Sequence, residues 1–281
     1  VARRRTARKS ENVTERDFDV WTAGNAYERY MGRWSRLVAD EFLGRLACAP
    51  DARWLDIGCG SGALTATVAS RCRPRALLGV ERSAGFAAAA RANTPPPAHF
   101  VLADAQALPV ADATVDAAVS GLVLNFLPDP GAAVAEAART VAPGGLVAAY
   151  VWDYAEGMGF LRYFWDAVAA VDPESAAALD EGRRFPLCRP APLRALWTAA
   201  GLTDVHVAPV EVPTAFGDFT DLWDPFLAGQ GPAPGYVTAL APAARERLRD
   251  ELRERVPEGA DGSIALRARA WAVRGRKGAK T

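Results

Sequence analysis

Residues Leu55–Gly62 read LDIGCGSG, a short apolar run that ends in three glycines spaced two apart and opens onto the alanine-rich stretch Ala63–Ser70. The run has strand character and the stretch has helix character. In the turn between them Gly58, Gly60 and Gly62 let the backbone, lacking Cβ, pass close to a ligand, and the helix N-terminus offers N–H groups to it. Alone the pattern is weak, because Gly58, Gly60 and Ala63 also satisfy the dinucleotide fingerprint GxGxxG/A. Asp56 tilts the reading: a carboxylate at the end of the strand repels a pyrophosphate but holds a cationic or amine-bearing ligand. A plain glycine turn with a capping Asp stays open as the alternative.

Outward from this motif the chain alternates. Trp54–Ile57, Ala76–Glu81, Phe100–Ala103, Val115–Leu124 and Leu146–Trp152 read as strands, and Ala63–Ser70, Ala84–Ala92 and Ala132–Val141 as helices. Ser83 is a candidate N-cap for the second helix, and Pro143, Gly144 and Gly145 stop the third. Strand–helix–strand repetition with short connections implies right-handed βαβ units and a parallel sheet. Before it, Tyr27, Tyr30, Met31, Trp34, Leu37, Val38, Glu41 and Phe42 recur at helical spacing. After it come a helix over 160–171, a helix near 193–200, a strand over 203–212 interrupted by Pro209, and an edge-type strand over 263–273. Between the last two strands lie an aromatic piece at 216–226, a Gly/Pro loop at 229–235 and a charged amphipathic helix at 240–256.

Glu81 ends the second strand 23 residues beyond Gly58, the distance at which an acid accepts both hydroxyls of a ribose. The third strand closes with LADAQALP, Leu102–Pro109, which puts Asp104 where a carboxylate can accept an adenine amino hydrogen and the following N–H can meet a ring nitrogen. Glycine loop, ribose acid and adenine acid on three successive strand ends form a specific constellation.

With these residues the chain resembles the class I S-adenosylmethionine-dependent methyltransferases, in particular the small-molecule group that includes the ubiquinone and menaquinone biosynthesis enzymes. The likeness covers about 53–152; VDAAVSGLVLNFLPDP (Val115–Pro130) and RTVAPGGLVAAYVW (Arg139–Trp152) resemble the group's fourth-strand and fifth-strand segments. It implies that Asp56, Gly58, Cys59 and Gly60 hold the methionine part of the cofactor and Glu81 the ribose. Arg82, Asp104, Ala105 and Gln106 would surround the adenine, and Leu122 would lie against the methionyl chain. Where the family often has His, this chain has Asn125. AYERYMGRWSR, Ala26–Arg36, looks like the leading helix of related proteins, in which Tyr30 and Arg33 would close over the methionine carboxylate; a helix that is core on one side and charged on the other is the alternative.

The implied fold is α/β: a Rossmann-like, seven-stranded, mostly parallel sheet with the last strand antiparallel, plus a helical cap. The expected organisation is a basic disordered tail over 1–15, an N-terminal helical cap over 16–50 and the methyltransferase domain over 51–273. Cap insertions fall at about 154–192 and 213–260, and a second basic tail occupies 274–281.

Composition narrows the partners. Half of the residues are hydrophobic and 23% are charged, with no apolar stretch long enough to cross a bilayer, so no membrane partner is expected. Lys and Arg total 33, as do Asp and Glu, but nine of the cations sit in the two tails, which leaves residues 11–273 with a net charge of −9. An acidic body is a poor binder of a polyanion, so no nucleic-acid partner is expected either. VARRRTARKSE is followed by no apolar run of the secretory kind, and the expected location is cytoplasmic. Cys48, Cys59, Cys72 and Cys188 form no CxxC pair, so no metal site is expected. Monomer and homodimer remain equally open.

Methyl transfer from a sulfonium is an in-line displacement that gains from alignment and exclusion of water and needs a base only for a weakly acidic nucleophile. His99 and His206 read as structural, the first entering its strand from the far edge and the second alternating with valines. Asp153, Tyr154 and Glu156 are the candidate bases beyond the fifth strand, each equally readable as a loop residue. Trp152, Tyr154, Phe160, Tyr163, Phe164, Trp165, Phe185, Phe216, Phe219, Trp223 and Phe226 suggest an apolar pocket for a small-molecule substrate, with core packing as the alternative for about half. Two other functions stay open: a nicotinamide-dependent oxidoreductase, and an S-adenosylmethionine-binding enzyme of pericyclic or structural-cofactor type that does not methylate.

Overall fold

The computed structural model describes residues 28–46, 49–228 and 231–279. The N-terminal tail, Tyr27 and Cys48 lie outside the described residues.

A π-helical turn over Glu28–Gly32 leads into helix α1 (Arg33–Gly44), whose buried Trp34, Val38 and Phe42 follow one another at four-residue steps. The next elements alternate: β1 (Arg53–Ile57), α2 (Ala63–Arg71), β2 (Ala76–Glu81), α3 (Ala84–Asn93), β3 (Ala98–Leu102), β4 (Val115–Gly121), α4 (Pro130–Thr140) and β5 (Val141–Trp152). Side chains along a strand alternate between faces, and the core divides accordingly. Trp54, Leu77, Ala117 and Val119 join one apolar cluster, while Leu55, Ile57, Val80 and Ala118 join the other. Helices α3 and α4 are capped as their sequences require: Ser83 Oγ accepts from the Phe86 N–H, and Asp129 accepts from the Ala132 N–H with Pro130 in the first turn.

After β5 come α5 (Gly159–Val171), α6 (Pro173–Leu179), α7 (Glu181–Arg184), α8 (Pro190–Ala199), β6 (Leu202–Phe216), α9 (Phe219–Trp223), α10 (Pro232–Ala239), α11 (Pro242–Arg255) and β7 (Ile264–Lys277). The seven strands form one sheet in the order β3-β2-β1-β4-β5-β7-β6. β7 runs antiparallel to both β5 and β6, and the other neighbours are parallel. The fold is therefore the expected Rossmann-like sheet with its last strand reversed.

Four expectations are corrected. The last strand is not at the edge; β7 lies between β5 and β6, and its alternation reflects one face packed on the core and the other carrying Arg267 and Arg269. Arg274, Arg276 and Lys277 are strand residues rather than tail, with Arg276 donating to the Gly144 carbonyl and Lys277 to those of Arg139 and Val141. β6, the true edge, runs straight through Pro209, because an edge strand tolerates a missing donor. The described part of the Gly/Pro segment becomes the start of α10 from Pro232 on, since Pro232 and Pro234 sit in a first turn where no N–H is needed.

Among the described residues no helix is long and apolar enough to cross a membrane, and no group of three or more His, Cys, Asp or Glu could hold a metal ion.

Candidate active site

A cavity of about 890 Å³ lies over the carboxyl ends of the parallel strands, where an α/β sheet of this kind binds ligands. β1 delivers Asp56 to it, and the turn from β1 to α2 delivers Gly58, Cys59 and Gly60. Hydrogen bonds from the N–H groups of Gly58 and Cys59 to the Val80 carbonyl (2.8 and 3.0 Å) pin this turn to β2. A Cβ on Gly58 would meet Val123 at 2.6 Å, whereas one on Gly60, at φ +54°, would meet nothing within 4 Å. The first glycine is thus required by packing, and the second leaves open space beside the backbone.

Asp56 is fully buried, and the Thr65 hydroxyl donates to its Oδ2 at 2.5 Å. Its Oδ1 has no hydrogen-bond partner among the described residues. Burial pushes this carboxyl up to about 7, the Thr65 hydrogen bond opposing the shift and Glu81 reinforcing it. Burial likewise raises the Cys59 thiol, with Asp56 and Glu81 adding to it.

Glu81, at the end of β2, is held through both oxygens: Gly60 N–H donates to Oε2 at 3.1 Å and Ser83 N–H to Oε1 at 2.8 Å. The carboxylate therefore joins the glycine turn to the start of α3 while lining the cavity. Arg82, Asp104 and Ala105 also line it. Asp104 accepts from the Gln106 backbone N–H and side chain (2.9 and 3.1 Å), which holds its carboxyl below the ordinary range. Gln106 itself is absent from the wall. Its side chain braces Asp104 on one side and accepts from the Asp129 N–H on the other. Leu122 lines the cavity at φ +63°, an uncommon backbone state for a leucine, fixed in part by its N–H bond to the Tyr150 carbonyl at 2.8 Å.

The leading helix meets the cavity with residues other than those expected. Tyr30 packs edge-on against Phe160 and Phe226, and Arg33 pairs with Asp221 at 3.0 Å between the rings of Trp34 and Phe216. Met31 and Ser35, one helical turn apart, line the wall instead. A periodic stripe locates a buried face but does not say which of its flanks borders a cavity.

Of the three candidate bases the structure brings only Tyr154 to the wall. Asp153 is buried in an ion pair with Arg269 at 2.7 Å and also accepts from the Glu156 N–H, while the Glu156 side chain is 82% exposed. His99 on β3 and His206 on β6 do not line the cavity.

The expected aromatic pocket is smaller than the sequence suggested. Trp152 and Tyr154 line the cavity, joined by Phe86, Phe126 and Tyr150. Phe160, Phe164, Phe216, Trp223 and Phe226 pack on one another in the core, with Phe164 and Phe226 stacked at 4.4 Å, because filling the space between α5 and the α9–α10 region consumes their apolar area. One group had no local signal at all: Glu181, a buried carboxyl that accepts from Trp165 Nε1 and is raised by burial to about 7.

A sheet of this order, with a cavity over its carboxyl ends and acids on three consecutive strand ends, has the architecture of the class I methyltransferases. Residues 55–149 match the family described as methyltransferase domain. It is 34% identical over 136 residues to a trans-aconitate 2-methyltransferase of Methylobacterium nodulans, covering 48% of this chain and 51% of the relative. It is 36% identical over 104 residues to a malonyl-[acyl-carrier protein] O-methyltransferase of Hahella chejuensis, covering 37% of each. The chain thus spans about half or less of the length of these curated relatives. The fold is similar to that of phosphoethanolamine N-methyltransferase 2 of Haemonchus contortus, with a TM-score of 0.53 and 16% identity over 96% of this chain and 58% of that one.

Proposed function

We propose that this protein transfers a methyl group from S-adenosylmethionine to O, N or C of a small, partly apolar acceptor. The observation that carries the reading is the fully buried Oδ1 of Asp56, which has no hydrogen-bond partner among the described residues. A buried acceptor without a donor is rare in a native fold, and an amine-bearing ligand in the cavity supplies one, as a pyrophosphate does not. Glu81 supports the same ligand, for its carboxylate borders the cavity with lone pairs left to accept ribose hydroxyls. The open side of Gly60 gives room for close approach, and Asp104 with Ala105 would border the adenine.

Bound there, the cofactor supplies an electrophilic methyl group on a sulfonium sulfur. The protein's share is alignment and exclusion of water: Leu122 backs the reacting end, while Tyr150, Trp152 and Tyr154 form the apolar wall on the acceptor side. Tyr154 is the residue placed to take a proton from an acceptor that needs one removed.

Isothermal titration of the full chain with S-adenosylmethionine, S-adenosylhomocysteine and NADH tests the assignment. One-to-one binding of the first two without added metal is expected, and tight binding of NADH alone would overturn it.

A further inference from the structure

Two threonines of α2 use their hydroxyls differently. Thr67 donates to the Ala63 carbonyl four residues back at 2.8 Å, the usual habit of a helical threonine. For Thr65 the corresponding carbonyl is that of Ser61, which accepts from the Asn93 side chain at 3.1 Å. The Thr65 hydroxyl instead crosses to Oδ2 of Asp56 at 2.5 Å. Both residues are fully buried, yet of the two only Asp56 borders the cavity.

A hydroxyl has one proton to give. Cys59 could compete for it as a thiolate, but burial and the acids Asp56 and Glu81 keep that sulfur a thiol, so the proton goes to Asp56. On β1 the strand neighbours of Asp56 are Gly79 of β2 and Val119 of β4, neither of which carries charge. Among the described residues the titratable groups that act on it are therefore Glu81 and Cys59. Burial and Glu81 favour its protonated form, and the Thr65 hydroxyl opposes them, helped by the Thr65 backbone N–H.

We propose that Thr65 is the positioning residue of the amine subsite: by donating to Oδ2 it fixes the Asp56 carboxylate, leaves Oδ1 for the ligand and favours the ionised form that a cationic amine requires. Thr65 acts on the ligand only through Asp56. Without the hydroxyl, Asp56 keeps its proton to higher pH, and a neutral carboxyl is a weaker partner for an ammonium group than a carboxylate. The ligand half of this proposal rests on the S-adenosylmethionine reading above; the step from Thr65 to Asp56 needs no ligand.

The test uses the full chain and Thr65→Val, which keeps the shape of the side chain and removes the hydroxyl. Carbon-13 NMR of the Asp56 carboxyl, assigned by its loss in Asp56→Asn, follows the titration in the unliganded protein. The midpoint should rise by about one pH unit in Thr65→Val, the size of one hydrogen bond to a charged acceptor. S-adenosylhomocysteine affinity should then fall about fivefold near pH 7 and less than about twofold near pH 8.5, where Asp56 is largely ionised in both proteins. Stability gives a second readout: lost packing costs the same at every pH, whereas a lost bond to the carboxylate should cost more as pH rises from about 5 to 8.5. Thr65→Ser should restore the parent midpoint, Thr67→Val should leave it in place, and Thr65→Val added to Asp56→Asn should cost no further affinity. If Thr65→Val does not fold, Thr65→Ala carries the same measurements. An unmoved midpoint, an affinity loss equal at both pH values, or a further loss on top of Asp56→Asn would each overturn the proposal. If S-adenosylhomocysteine fails to bind the parent protein, the cofactor reading falls instead, and the titration and stability profiles still decide whether Thr65 governs Asp56.

Discussion

The hydroxyl of Tyr150 fills the space that a side chain at Gly121 would occupy: a Cβ built on Gly121 lies 2.5 Å from that oxygen and 2.7 Å from Cζ. The glycine at the end of β4 is what lets a tyrosine of β5 stand at the cavity wall. Gly121→Ala should therefore displace the ring and cost about 1–3 kcal/mol, the usual size for forced overpacking. Chemical denaturation measures it. In combination with Tyr150→Ala the loss should be smaller than the sum of the two single losses, since the clash is then gone; strict additivity would show that the two positions do not compete.

Glu81 joins the glycine turn to α3, so its removal should act twice. Glu81→Ala loses the ribose acceptor and frees the N–H groups of Gly60 and Ser83, and S-adenosylhomocysteine affinity should fall tenfold or more, at about 1.5–3 kcal/mol for each hydrogen bond to a charged group. Hydrogen exchange at Gly60 and Ser83 should rise in the unliganded variant. An unaltered dissociation constant would place the ribose elsewhere.

Asp56 gives the site a pH dependence whose sign is fixed. Its carboxyl stands near 7 in the folded protein against an ordinary 3.8, so the folded state binds the extra proton. This contribution to stability is full below the ordinary value and is lost as pH rises toward and through 7; Glu181, also near 7, acts in the same direction. Asp56→Asn should flatten the stability profile between roughly pH 4 and 7. A cationic amine beside Asp56 favours its ionised form, so S-adenosylmethionine should bind more tightly as pH rises from about 6 to 8, with release of a proton. Calorimetry in buffers of different ionisation enthalpy measures that proton, and its retention in Asp56→Asn would assign it to another group.

The three residues after β5 should separate by role. Asp153→Asn weakens the buried pair with Arg269 and should lower thermal stability, with kcat close to the parent value. Glu156→Ala should change neither, and Tyr154→Phe is the substitution expected to lower kcat when the acceptor must lose a proton. The double change of His99 and His206 to Gln should leave transfer within about tenfold, less than the loss typical of a general base. A thousandfold drop in that folded variant would contradict the placement of both histidines.

The part of the cavity wall at the glycine turn and the first strand ends was legible in the sequence because its signals are local. Glycines two apart, a carboxylate inside the motif and acids at successive strand ends all fall within one βαβαβ stretch, and nine of the twelve expected residues line the cavity. The three that do not line it are held elsewhere by residues distant along the chain. Arg33 was drawn away by Asp221, 188 residues on, and Tyr30 by Phe160 and Phe226. Gln106 was taken by Asp129. Glu181 sits in an ordinary mixed-charge stretch, DEGRR, and only burial against Trp165 distinguishes it. Strand alternation in β7 reported its two faces correctly but carries no information about neighbours, so an interior strand read as an edge.

Because β7 is inserted between β5 and β6, β6 reaches the rest of the sheet only through a strand that follows it in the chain by way of residues 217–263. During synthesis β6 is made first and has no partner to pair with. Its long alternating edge, with Val210 and Val212 on the apolar side, must wait unpaired until Ile264–Lys277 has left the ribosome. A chain truncated before Ile264 would keep β1 to β5 and the glycine turn yet strand β6 as a free, sticky ribbon, so such fragments should aggregate through β6 rather than fold as a smaller enzyme.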